Sequence, residues 1–170
     1  TTLFRSPPVE SPDIPVAETR GGLLACDART GALLRLDLQI NSINFADLSV
    51  ETITASPDGN TLYIGGKFDE VAGVARKNAA AFDRITGALT EWNPSPSRLN
   101  DIVISRDGAT AYLAGSFGVA AYETTGAGNK LAAFAPSILT ADGAQSSVRG
   151  LALSADGATL YIGGGQFATV

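Results

Sequence analysis

One phrase, Ser-x-Asp-Gly-x-Thr-x-Tyr-x-x-Gly, occurs three times in this chain at an even step of 49 residues. It runs from Ser56 to Tyr63, from Ser105 to Tyr112 and from Ser154 to Tyr161, with Gly66, Gly115 and Gly164 in the same register. A period of about 20–50 residues signals a repeat architecture, in which each unit buries its faces only against its neighbours. The phrase reads as a hairpin: Ile53-Thr54-Ala55 is one arm, Leu62-Tyr63-Ile64 the other, and Asp58-Gly59 the bend. Asp-Gly permits the positive φ that a tight reversal between twisted strands demands. The arms are apolar at nearly every position, as in strands buried on both faces, which means sheets stacked on sheets.

A second hairpin follows each of the first two. Ala80-Ala81-Phe82-Asp83 turns through Thr86-Gly87 to Leu89-Thr90-Glu91-Trp92, and Ala120-Ala121-Tyr122-Glu123 turns through Thr125-Gly126 to Leu131-Ala132-Ala133-Phe134. The run Ala25-Cys26-Asp27…Thr30-Gly31…Leu33 matches this second hairpin, so the order is half unit, full unit, full unit, half unit. Four strands in about fifty residues make the blade of a β-propeller. The fold class is therefore all-β, with four-stranded antiparallel blades forming a partial propeller of about three. The spacing predicts strands near 51–56, 61–66, 78–84 and 88–93, then 101–105, 110–116, 118–123 and 130–135. A Pro-rich extended segment (1–20) precedes a half blade (21–38), full blades (51–94 and 100–136) and a half blade (149–167) within 21–170. No window of a dozen residues keeps helical spacing.

The string SPDGNTLYIGGKF…VAGVARKNAAAFDRITGALTEWNP resembles the propeller repeats of secreted and surface-attached bacterial proteins, including the delta-60 type. In those an Asp-Gly hairpin, a Tyr-Ile-Gly-Gly-x-Phe strand and an Asp-x-x-Thr-Gly turn alternate. The resemblance spans about residues 21–167 and implies an extracellular or cell-surface location. The second unit departs from the pattern: it loses the stretch equivalent to Asp69–Lys77 and has Ala114 where the first has Gly65.

Composition removes several function classes. The net charge is −5 and the three lysines, Lys67, Lys77 and Lys130, are scattered, which argues against a nucleic-acid binder. No run approaches the roughly 18 apolar residues of a transmembrane helix. With no histidine, neither a Ser-His-Asp or Cys-His nucleophile system nor a zinc site with imidazole ligands can be built. Cys26 is alone and reads as a small apolar residue. Paired carboxylates are the surviving catalytic option, with Asp37, Asp69, Glu70 and Glu91 as candidates; each sits at a strand end or in a loop, where acidic residues ordinarily serve solvation. The recurring Asp58, Asp107 and Asp156 come near the Asp box of sialidase-type propellers, but Gly follows Asp directly and Tyr falls a step late, so they read as turn chemistry. Gly65-Gly66 and Gly163-Gly164-Gly165 mark close backbone approach or bulges, not a phosphate cradle.

Loop length gives the one directional clue. The connections 39–50, 67–77, 94–100 and 136–148 are the longer and more varied ones, and in a four-stranded meander they share one side. That face is the expected binding face, with Phe45, Asp69, Glu70, Arg76 and Lys77 as candidate contacts for a protein or glycan partner. No catalytic residue, metal or cofactor follows from the sequence. The leading expectation is a non-enzymatic interaction or structural module. Its rival is a fragment of a propeller enzyme, a carboxylate hydrolase or lyase whose active-site residues lie partly elsewhere. The chain opens without an initiating methionine or a leader and stops within a unit. It is thus expected to be processed or trimmed, with its blades completed by a longer chain or by a second copy. Gly59→Val should lower thermal stability more than Asn60→Ala, because a β-branched residue resists positive φ; equal melting temperatures would remove the turn assignment.

Overall fold

In each copy of the repeated phrase the serine, aspartate and glycine each close part of one turn. Ser56 N donates to Thr61 O and Thr61 N donates back to Ser56 Oγ, at 2.8 and 2.9 Å. Asp58 accepts from Ser56 Oγ and from Asn60 N. Gly59 takes φ +71° and donates its N–H to Ser56 O. The same bonds recur at Ser105–Thr110 and Ser154–Thr159, with Gly108 at +75° and Gly157 at +76°. Only the glycine has positive φ, so the connection is a five-residue turn over 56–60 rather than a two-residue Asp-Gly reversal.

The computed structural model describes residues 23–34, 38–43 and 48–168, and all its regular structure is β. The Pro-rich segment 1–20, Asp37 and Phe45 lie outside these residues. A hairpin of β1 (Ala25–Cys26) and β2 (Leu33–Leu34) comes first, followed by β3 (Ile40–Asn41). The first sheet joins β4 (Ser49–Ala55), β5 (Thr61–Lys67) and β8 (Ala79–Asp83), with β5 central. Between β5 and β8, β6 (Glu70–Val71) and β7 (Val74–Ala75) pair with β3 in a small separate sheet. The second sheet joins β9 (Leu99–Ile104), β10 (Thr110–Gly115) and β11 (Gly118–Glu123), again around the middle strand. The third contains β12 (Val148–Leu153) and β13 (Leu160–Gly164). All pairings are antiparallel.

The expected fourth strands, 88–93 and 130–135, are reduced to single bridges, Phe82 with Leu89 and Tyr122 with Lys130. In the first sheet the reason is local. Thr90 donates both N–H and hydroxyl to Ala81 O, and the chain then leaves the ladder so that Trp92 is buried. Its ring meets Tyr63 edge-on at 5.0 Å, and its indole N–H donates to Glu123 O of the second sheet at 2.9 Å. In the second sheet, Leu131 N reaches Ala121 O and a turn follows at Leu131–Phe134, placing Phe134 edge-on to Tyr112 at 5.2 Å.

Neighbouring residues on β5 face opposite ways and both are buried. Tyr63 joins Leu99, Ile102 and Leu113 between the first and second sheets, whereas Ile64 joins Leu23, Ile40, Phe68 and Val71 on the other face. A third cluster, around Ala114, Val119 and Val148, joins the second sheet to the third. The first strand of each sheet carries one extra residue, at Glu51, Asn100 and Arg149. Opposite each bulge stands the repeated glycine. A Cβ at Gly66 would lie 2.2 Å from Ser49 O, at Gly115 2.1 Å from Arg98 O, and at Gly164 2.5 Å from Ser147 O.

Asp101, next to the second bulge, ties the three sheets together. Its Oδ1 accepts from Thr52 Oγ1 of the first sheet (2.9 Å) and from Ile102 N, and its Oδ2 accepts from Leu151 N of the third (2.7 Å). Asn100 adds a bond from its side-chain amide to Val148 O at 2.7 Å. Asp101→Ala would leave the Leu151 N–H without its acceptor, at a cost of about 1–3 kcal/mol. Chemical denaturation should show that loss, together with a much smaller one for Thr52→Val.

Candidate functional site

Residues from three of the four longer connections meet at the end of β5 opposite its turn. The small sheet organises them. Val71 and Val74 flank a two-residue reversal in which Ala72 and Gly73 both take positive φ, 51° and 76°. β3 lies beside it, with Ile40 opposite Val71 and Asn41 opposite Glu70. Ile40, Val71 and Phe68 are buried beneath, so this is a cored element set on the first sheet.

Two of the candidate carboxylates hold that element together. Asp69 Oδ2 accepts from Ser42 Oγ at 3.1 Å and from Ile43 N at 3.0 Å; Glu70 Oε1 accepts from Asn41 Nδ2 at 2.9 Å. Arg76 turns away from solvent and donates to Thr90 O (2.8 Å) and Ala75 O (3.0 Å). Asn78, buried with φ 62°, accepts from Phe68 N and donates to Pro96 O, joining the connection 67–77 to 94–100. Asn78 is not among the residues that the sequence places at the binding face. Its only signal was the tolerance of asparagine for left-handed backbone at a strand start.

Between these segments lies an open cleft of about 270 Å³ lined by Ser42, Ile43, Lys67, Asp69, Lys77 and Arg98, with Phe68 and Asn78 behind them. Three cations thus share a cleft with one carboxylate, in a chain whose net charge is −5. Of the residues expected at the binding face, Asp69 and Lys77 line it. Glu70, on β6, and Arg76, just past β7, bond to Asn41 and Thr90 beside it, and Phe45 lies outside the described residues. Lys67, Ser42 and Arg98 are additions that only the fold reveals. The Ser42–Asp69 pair has no histidine to relay a proton, since the chain contains none.

Glu91 lies elsewhere. It lines a second cleft, of about 210 Å³, with Thr61, Tyr63, Thr90, Trp92 and Thr124. Thr61 and Lys67 are the two ends of β5, about 20 Å apart at the rise of a strand. That separates Glu91 from Asp69 by far more than the roughly 5–9.5 Å of an acid–base carboxylate pair. Among the described residues no group of three His, Cys, Asp or Glu is placed to hold a metal ion, and no helix is long and apolar enough to cross a membrane. Compared with known proteins, the chain matches no protein-family model and no curated protein.

The repeated aspartates are turn groups. Hydrogen bonds from Ser56 Oγ and then from Asn60 N hold the Asp58 carboxyl below its ordinary range, and the same serine-then-backbone order applies to Asp107 and Asp156. Asp27 and Asp83, which close the Asp-x-x-Thr-Gly turns, are lowered by donors from Thr30 and Thr86. A native carboxyl lowered from 3.8 contributes stability that is present above that pH and lost as pH falls through the lower native value. Asp58→Asn should therefore reduce the melting temperature modestly near pH 6. The gap from wild type should narrow as the pH falls below 3.8; a gap independent of pH would show that the ionised form is not what the turn holds.

Proposed function

We propose that the chain is part of a β-propeller that serves as a non-enzymatic interaction scaffold at the cell exterior, with the Lys67–Lys77–Arg98 cleft receiving an acidic group of a protein or glycan partner. Face-to-face stacking of blade-like sheets at a constant sequence step supports the propeller reading. The cleft carries the functional reading. Three connections converge there, cations line it, and the nearby carboxylates Asp69 and Glu70 are engaged in holding the segment around β3. An acidic ligand gains attraction from clustered cations in a recess more than on an open surface. The apolar Ile43, almost fully exposed at the rim, offers contact area beside the charges.

Titration calorimetry with uronic-acid oligosaccharides and with acidic peptides tests this. Lys77→Glu and Arg98→Glu, both exposed, should each weaken binding about tenfold or more, equivalent to about 1.4 kcal/mol. Asp83→Asn, at a distant turn, should leave affinity unchanged. Affinity insensitive to both charge reversals would remove the cleft from the site.

A further inference from the structure

Of the candidate carboxylates among the described residues, Glu91 is the one that braces nothing. Asp69 and Glu70 fasten the segment around β3, whereas no hydrogen bond or ion pair holds Glu91 among the described residues. It borders the cleft of about 210 Å³ between the first and second sheets. Thr61 and Tyr63 of β5, with Thr90, Glu91 and Trp92 beside them, line it from the first sheet. Thr124 and Gly126, just past β11, line it from the second. The cleft lies where the chain leaves the ladder after Thr90 to bury Trp92. Both walls belong to consecutive sheets in the middle of the chain.

The hydrogen bonds around this cleft are one-sided. The Thr90 hydroxyl donates to Ala81 O at 3.0 Å, the Thr124 hydroxyl to Gly108 O at 2.6 Å, and the Trp92 indole N–H to Glu123 O at 2.9 Å. Those three donors are committed, but a hydroxyl oxygen keeps acceptor lone pairs after its proton is engaged. Thr90 Oγ1 accepts from Trp92 N at 3.3 Å and has a further lone pair open. The Thr61 and Tyr63 hydroxyls can serve either way, and both Glu91 oxygens are open, so acceptors outnumber donors on these walls. The local field has the matching sign. Burial, and then the negative charge of Asp58, push the Tyr63 phenol up, which leaves it protonated at neutral pH. Arg76 and Arg84, the cations bonded to this neighbourhood, donate to Thr90 O and Gly59 O and do not line the cleft.

We infer that this cleft receives a guanidinium group, an arginine side chain presented by a partner protein, at a site separate from the Lys67–Lys77–Arg98 cleft. A guanidinium carries five N–H donors in a planar fork and no acceptor, the complement of walls that offer acceptors around one carboxylate. An acidic ligand would meet Glu91 and hydroxyl lone pairs, and a neutral one makes no use of the Glu91 charge. An ammonium has the charge but groups its three donors about a single point, and so reaches fewer of these oxygens. Tyr63 and Trp92, both buried, back the cleft with apolar surface, where a charge pair is screened less than on an open surface. Two clefts of opposite sign thus lie towards the two ends of β5, and neither needs the other to be occupied.

Trp92 is the chain's one tryptophan, so its fluorescence reports on this cleft. Titrating the 170-residue chain with a capped glycine–arginine–glycine peptide should shift that emission saturably at millimolar concentrations. The lysine peptide should bind more weakly, and the citrulline peptide, which keeps the shape of arginine without its charge, should leave the emission unchanged. Glu91→Gln, at an exposed side chain that holds nothing in place, should keep the wild-type melting temperature and weaken arginine binding about tenfold or more. Asp142→Asn, which removes the same charge in the connection 136–148, should bind like wild type. Three results would each overturn the assignment: no saturable shift with the arginine peptide, an equal response to lysine or citrulline, or equal losses in Glu91→Gln and Asp142→Asn. Lys77→Glu should leave this titration unchanged, so the two clefts stand or fall separately.

Discussion

The middle strand of the first sheet is apolar on both faces and is covered on both, and that requirement shapes the stack. Tyr63 and Ile64 are consecutive residues buried in different clusters, so β5 has no solvent side. Coverage fixes the distance between sheets, and polar bonds fix their alignment. Asp101 accepts from the sheet before it and from the sheet after it; Trp92 crosses one boundary with its ring and its N–H. Apolar contact alone tolerates sliding. A carboxylate with one oxygen committed to each neighbour does not, because a slip would leave a half-buried donor unpaired.

Much of this was legible in the sequence because the repeat displays each constraint several times. Ser56, Asp58, Gly59 and Thr61 recur because all four close the same turn, and Gly66, Gly115 and Gly164 recur because a neighbouring carbonyl occupies the space of a side chain. The first three strands of each full unit fall within about two residues of the expected bounds. The fourth strands are the exception. Leu89–Trp92 has strand-like composition, yet the indole gains more from burial between sheets than the backbone gains from two further ladder bonds. Local pattern does not record that competition.

The small sheet shows the opposite failure. Val71-Ala72-Gly73-Val74 forms a tight hairpin, but Ala-Gly lacks the asparagine or aspartate that usually signals one, so 67–77 reads as a loop. Its partner β3 lies nearly thirty residues earlier, a distance no local pattern spans. The cleft inherits the same difficulty. Lys67, Lys77 and Arg98 are unremarkable singly, and their convergence depends on Asn78 bending the chain through left-handed backbone and on Asp69 and Glu70 fastening the segment around β3. Asp69 and Glu70 were visible as candidates because they are charged and in a loop; their geometry makes them braces.

The Val71–Val74 hairpin belongs to the first unit. In the second, Ser116 and Phe117 join the strands directly, with Gly115 opposite Gly118. Among the described residues, then, the second unit repeats the turn, the bulge and the glycine of the first without repeating this recess, so the recess is an addition to the framework and not a product of its repetition.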